Sequence, residues 1–275
     1  MRWLRALAVT AALLPVAAAA AVEVEPSRLE LTLSSEDPTR GQLQVTNHSA
    51  KTVGVRITAG AYRYIQPIPP LPSCQDWLSF KPDRFTLAAG ATTTVLYSVL
   101  PPSNLLEDTA GEYVGAIQVD QLPPEENGPS PAAASSHLTI VPRLALPVYL
   151  MVKGRESFHL EISRVEAKLI QTSLLRIDTT LKNLGTVHIR PSGTFALFRS
   201  DGELFRTTPL GKSIPILPGG SLTLSSLLPQ PPRGRYRLVT TVELPDGKAL
   251  QKETPFEITE ENRLVQGKHD GESSS

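Results

Sequence analysis

The sequence predicts an all-β chain built of two tandem β-sandwiches. Three observations carry this. Apolar and polar residues alternate in short runs, the period of a strand with one buried face. The 275 residues include 25 prolines, which break long helices but suit short strands joined by turns. A weak internal repeat gives both halves the same plan. Val45-Thr46-Asn47 is matched by Leu181-Lys182-Asn183. Leu87 with Gly90 is matched by Leu217 with Gly219 and Gly220. Gly111-Glu112-Tyr113 is matched by Gly234-Arg235-Tyr236, and the order is the same in both halves.

The first segment reads as an export signal over residues 1–21. Arg2 and Arg5 give a basic start, Leu7 to Val16 is apolar, and Ala17 to Ala21 offers small-residue cleavage positions after Ala20 or Ala21. The apolar stretch is short for a bilayer span, and no later segment approaches that length, so no stable membrane insertion is expected after cleavage. A first domain is expected over residues 22–152. Val22 and Val24, then Leu29, Leu31 and Leu33, alternate as strands, with Pro26 marking a break or an edge position. Gly41 to Thr46 and Val53 to Ile57 repeat the pattern. Gln66 to Ser73 is proline-rich and reads as an extended loop. Trp77 beside Leu78 and Phe80 reads as core. Thr92 to Leu100 and Val114 to Val119 are further strands, with at most one helical turn over Ser103 to Asp108. Gln121 to Ser136 reads as a mobile loop. Leu138 to Val152 is apolar but carries Pro142 and Pro147. These exclude a helix and a central antiparallel strand, leaving an edge strand or one that changes sheets.

Lys153 to Ser157 reads as a linker, and a second domain is expected over residues 158–259. Phe158, Leu160 and Ile162 alternate again, Leu174 to Leu181 follows, and Ser200-Asp201-Gly202 and Pro245-Asp246-Gly247 are hairpin turn signals. Residues 260–275 are polar and read as a disordered tail. Short strands with turns at about 8–12-residue spacing point to immunoglobulin-like sandwiches in both domains.

Composition narrows function. Lys plus Arg and Asp plus Glu number 27 each, so there is no basic footprint for nucleic acid. The lone Cys74 has no disulfide partner in the chain and reads as a buried small hydrophobe. His48, His137, His159, His188 and His269 are scattered, with no metal-ligand spacing. There is no phosphate loop and no nucleophile elbow. Neither an enzyme, a metal nor a cofactor is expected. Protein binding is the expected activity.

Residues 22–152 resemble the PapD-like pilus-assembly chaperones of Gram-negative bacteria. The resemblance is carried by Ala21-Val22 followed by Arg28, by Val45-Thr46-Asn47, by Phe85-Thr86-Leu87 with Gly90, by Gly111-Glu112-Tyr113 before Val114 to Val119, and by the placing of the loop and last strand. It implies a periplasmic chaperone whose last strand is offered to pilus or other surface subunits by β-strand addition. It also implies two basic residues in the cleft between domains that hold a subunit's terminal carboxylate. Arg28 matches the first. The family's second, a lysine, falls on Ala145, and the nearest basic residue is Arg143. Leu138 and Ile140 match the donor side chains, before Pro142 departs from the pattern. A structural or adhesive immunoglobulin-like module of the cell envelope is the alternative.

Overall fold

A computed structural model of the chain describes residues 22–33, 39–63, 70–103, 105, 110–122, 141–170, 174–211 and 214–266. The expected export signal, most of the expected loop, and Leu138 and Ile140 lie outside the described residues.

The strands of the first unit are β1 (Val22–Glu25), β2 (Leu29–Leu33), β3 (Thr39–Asn47), β4 (Val53–Gly60), β5 (Leu78–Lys81), β6 (Arg84–Leu87), β7 (Thr92–Val99), β8 (Glu112–Leu122) and β9 (Arg143–Val152). They form two facing sheets, ordered β1-β3-β7-β5 and β2-β9-β8-β4-β6. The alternation read from the sequence points Val22, Val24, Leu43, Val45, Val55, Ile57, Val95, Ile117, Val148 and Leu150 into one shared core. The break foreseen at Pro26 is a change of sheet. β1 pairs antiparallel with β3, while β2, just beyond the proline, pairs parallel with β9.

The second unit holds β10 (Leu160–Ile170), β11 (Leu174–Asn183), β12 (Ser192–Arg199), β13 (Leu204–Pro209), β14 (Ser221–Pro229), β15 (Gly234–Glu243), β16 (Ala249–Ile258) and β17 (Leu264–Gln266). Its sheets are ordered β10-β11-β14 and β13-β12-β15-β16-β17, around a separate core that includes Leu175, Ile177, Phe195, Leu238 and Phe256. Both units are antiparallel-rich sandwiches of the immunoglobulin-like kind.

Three expectations are corrected. Residues 264–266 belong to no disordered tail. A turn closed by Thr259 and Arg263, with Asn262 in the left-handed region at φ 57°, returns them to pair with β16. Gln266 then caps the edge of β10. Its amide donates to the Val165 carbonyl at 2.7 Å, and its Oε1 accepts from the Ala167 N–H at 3.1 Å. A short 3-10 turn over Gln75–Trp77 lies where no helix was foreseen, held by the Trp77 N–H on the Cys74 carbonyl at 3.1 Å. Third, β9 is an inner strand for half its length despite Pro147. The bonds from Gln121 N–H to the Pro142 carbonyl and from Val152 N–H to the Gly111 carbonyl fix the phase of the β8–β9 ladder. Even-numbered residues of β9 give their backbone groups to β8, and odd-numbered residues turn theirs away. Pro147 therefore lacks a donor that β8 never uses.

At one place the internal repeat extends to shared hydrogen bonds. Asn47 ends β3 and Asn183 ends β11, both fully buried. The Asn47 amide donates to the carbonyls of Lys51, Leu87 and Ala88 at 2.8, 3.2 and 3.0 Å, and Oδ1 accepts from the Ser49 N–H. The Asn183 amide donates to Val187 and Ile216 carbonyls at 2.8 and 2.7 Å, and Oδ1 accepts from the Gly185 N–H. In each copy the asparagine carbonyl receives the N–H of a left-handed glycine, Gly90 at φ 71° or Gly219 at φ 72°. Asn47→Ala and Asn183→Ala each leave buried carbonyls without donors and are expected to cost about 2–3 kcal/mol in denaturant melts. A loss below about 0.5 kcal/mol at both sites would show that the two side chains do not hold their units together.

Candidate functional site: an open strand edge leading to the cleft between domains

β2 covers β9 only from Val148 to Val152. Upstream, Arg143 and Ala145 turn their backbone N–H and C=O groups outward, and no described strand pairs with that side. The side chains alternate with the same phase. Leu146 is buried and Leu144 packs against the core, while Arg143 and Ala145 are exposed. Between this edge and β1 runs a groove of about 550 Å³, lined by Val22, Val24, Leu144 and Leu146 and rimmed by Glu23, Ser27, His48 and Ala145. His48 Nε2 lies 2.5 Å from Glu23 Oε2 on its rim.

Arg143 stands at the head of the edge and is bound to Asp120. Its Nε donates to Oδ1 at 2.5 Å, and the Arg56 Nη2 donates to Oδ2 of the same carboxylate at 2.7 Å. The Arg143 hydrogen bond, opposed by burial and reinforced by Arg56, holds the Asp120 carboxyl below the usual carboxylate range.

Arg28 stands at the other end. It precedes Leu29, the residue where β2 meets Val148 of β9. The register thus sets Arg28 and Arg143 about 15 Å apart along β9. The expectation that both arginines share the cleft between the units is corrected by this spacing. The basic residue beside Arg28 is Arg190, from the second unit. Both donate through Nε to Glu30 Oε1, each at 2.8 Å, and His188 Nε2 lies 3.6 Å from the same oxygen. Burial works to raise the Glu30 pKa, but the Arg190 hydrogen bond and the charges of Arg190, His188 and Arg28 outweigh it, and the net direction is down.

Behind this cluster lies the contact between the units. The outward face of β8 and β9 meets the second unit there. Glu112 Oε2 accepts from the His188 backbone N–H at 2.7 Å and lies 2.8 Å from its Nδ1, with the two side chains 1% and 6% exposed. The imidazole stacks on the Tyr149 ring at 4.2 Å between centroids, and the Tyr149 hydroxyl meets that of Tyr62 at 3.1 Å. Burial, then the Tyr62 hydrogen bond, pushes the Tyr149 phenol well above its ordinary value, so it stays neutral. Val114, Tyr149 and Leu217 form a small apolar core of their own at this contact. Gly111 belongs here because a Cβ would stand 2.5 Å from Thr186.

Sequence reasoning missed Glu30, Glu112, His188 and Arg190. Glu112 carried a faint signal, as the acidic member of a repeat whose second copy has Arg235. His188 carried none, since its partners lie 76 and 158 residues away in the chain. Trp77 packs against the first core and lies 4.4 Å from Tyr113, as expected of a core residue. Cys74 is fully buried, and burial pushes its thiol up to about 12, which leaves it unreactive. Among the described residues no group of three metal-ligating side chains converges, and no helix is long and apolar enough to cross a membrane.

No protein-family model matches the chain, and no curated protein does. Solved structures do. The class 5 fimbriae chaperone CfaA is 12% identical, with 84% of this chain and 98% of that one covered and a TM-score of 0.44. The E. coli chaperone DraB is 13% identical, with 84% and 94% covered and a TM-score of 0.42. The SafB chaperone structure from Salmonella enterica, in complex with the SafA pilin, is matched at 14% identity, with 84% and 94% covered and a TM-score of 0.41. This chain is similar to fimbrial chaperones along most of its length.

The Glu112–His188 contact is expected to couple the two units. His188→Ala leaves a buried carboxylate short of a partner, at a cost of about 3 kcal/mol. Calorimetry should then resolve two transitions where the parent chain melts in one. A single unshifted transition would mean that the contact carries no coupling.

Proposed function

We propose that the chain is a periplasmic chaperone-like protein that holds pilus or other surface subunits by β-strand addition along the open edge of β9. The observation that carries this reading is the half-covered strand. Among the described residues no strand pairs with the outward backbone groups of Arg143 and Ala145, an apolar groove lies beside them, and Arg28 stands at the end. An added strand gains ladder bonds from the edge and side-chain specificity from the groove.

Orientation follows from β2. A guest strand along Arg143 to Pro147 occupies the line that β2 takes up at Leu29. If it runs parallel to β9, as β2 does, its C-terminus arrives at Arg28. A guanidinium fork there suits a terminal carboxylate. Leu138 and Ile140, which lie outside the described residues, are the donor side chains in this reading. Residues 1–21 supply the route of export in this reading.

Ala145→Pro tests the proposal, because it deletes an outward donor and leaves the β8 ladder whole. The parent chain is expected to recover a sandwich-type subunit from periplasmic extract, and the variant to recover at least about tenfold less while keeping its melting point within a few degrees. Recovery of no subunit by the parent, or equal recovery by the variant, would overturn the reading.

A further inference from the structure

A row of charge crosses the outward face of the sheet that holds the open edge. Arg143 on β9, Asp120 on β8 and Arg56 on β4 stand directly beside one another in register, and the row continues to Arg84 on β6. The rows on either side carry no charge. Ala145, Gln118 and Thr58 form one, and Leu122, Gly54 and Thr86 the other. The Asp120 side chain is only 2% exposed and serves two cations. Arg143 reaches both its oxygens, through Nε at 2.5 Å and Nη2 at 3.2 Å, and Arg56 reaches Oδ2 through Nη2 at 2.7 Å and Nε at 3.3 Å. One carboxylate thus answers two guanidinium groups, and the trio carries one positive charge in excess. Both arginines are about half exposed, and Arg143 ends the row at the edge where no described strand follows. We propose that the guest strand carries an acidic side chain beside Arg143, so that Arg143 selects partners by the charge at that one position. This rests on the strand-addition reading above and names a feature of the partner.

The physical argument is cross-strand pairing. A strand laid along β9 sets each of its residues beside one of β9, with neighbouring side chains on the same face. The guest residue beside Arg143 therefore points outward, and those beside Leu144 and Leu146 point toward the groove. A guanidinium has five N–H donors, and Asp120 takes two of those on Arg143. A carboxylate on the guest extends the row to four groups of alternating sign whose charges sum to zero. A lysine or arginine there meets like charge at short range. In a guest running parallel to β9, the residue type sought is an acid followed by an apolar residue, any residue and a second apolar residue. This demand is separate from that of a terminal carboxylate, because Arg28 stands about 15 Å away along β9.

The probes are short synthetic peptides of alternating threonine and valine in which one threonine at a time is replaced by glutamate, glutamine or lysine. The full chain is titrated with each set. At one position the glutamate peptide is expected to bind about threefold tighter than the glutamine peptide, and the lysine peptide about threefold weaker. The spread should shrink to under about twofold in 0.5 M salt, since the pair is exposed. Arg143→Gln should remove the ranking, and Arg143→Lys, which keeps the charge, should retain it. Peptides that bind the parent with no position favouring glutamate, or with a ranking that survives Arg143→Gln or high salt, would overturn the acidic partner and leave strand addition intact. No binding of any peptide to the parent would overturn both.

Discussion

The rest of the structure depends on one strand being shared between two sheets. The chain enters the first sandwich as β1, paired with β3, and crosses at Pro26 to become β2, paired with β9. Because its residues are divided, β2 can cover only half of β9. The open half is a consequence of the crossing. Edge strands are ordinarily blunted by charge, proline or a covering segment. β10 shows that form of protection, with Gln266 bonding to its backbone and Lys252 Nζ donating to the carbonyls of Ile162 and Ser163. The open half of β9 is treated differently. Its charge, Arg143, is held by Asp120, and its proline sits at the end where β2 begins.

The second unit completes what the first begins. At one end of β8 and β9 the outward face is buried at Glu112, Val114 and Tyr149, and His188, Arg190 and Leu217 supply cover there. A buried carboxylate such as Glu112 is costly unless hydrogen-bonded. His188 meets part of this need, since its backbone N–H and its ring both reach Oε2, while the buried Oε1 has no hydrogen-bond partner among the described residues. The arrangement ties the position of Arg190, and so the cluster around Glu30, to the fit between the units. A partner bound at the cleft would consequently sense both sandwiches at once.

Much of this was legible in the sequence, for definite reasons. Alternation gave the strands because each sheet has one dry face, and the three repeat matches mark equivalent points of the two sandwiches. Asn47 and Asn183 show why: one buried amide at a strand end serves the same turn in both copies. The role of Pro147 was not legible. Whether a proline breaks a ladder depends on which way its missing N–H would point, and that phase is set by pairing with β8. The cleft was hidden for a similar reason. Glu30, Glu112, His188 and Arg190 lie on segments far apart in the chain, and no local spacing joins them. Gln266 looked like tail because its partners, Val165 and Ala167, lie about a hundred residues earlier.

The central claim is that, among the described residues, β9 is paired on one side and left open on the other between Arg143 and Leu146. Amide hydrogen exchange of the chain alone tests this residue by residue. Leu144 and Leu146, whose N–H groups face β8, should be strongly protected, and Arg143 and Ala145 should exchange like exposed amides. Protection of Arg143 and Ala145 equal to that of Leu144 and Leu146 would contradict the account, because the edge would then be closed before any partner arrives.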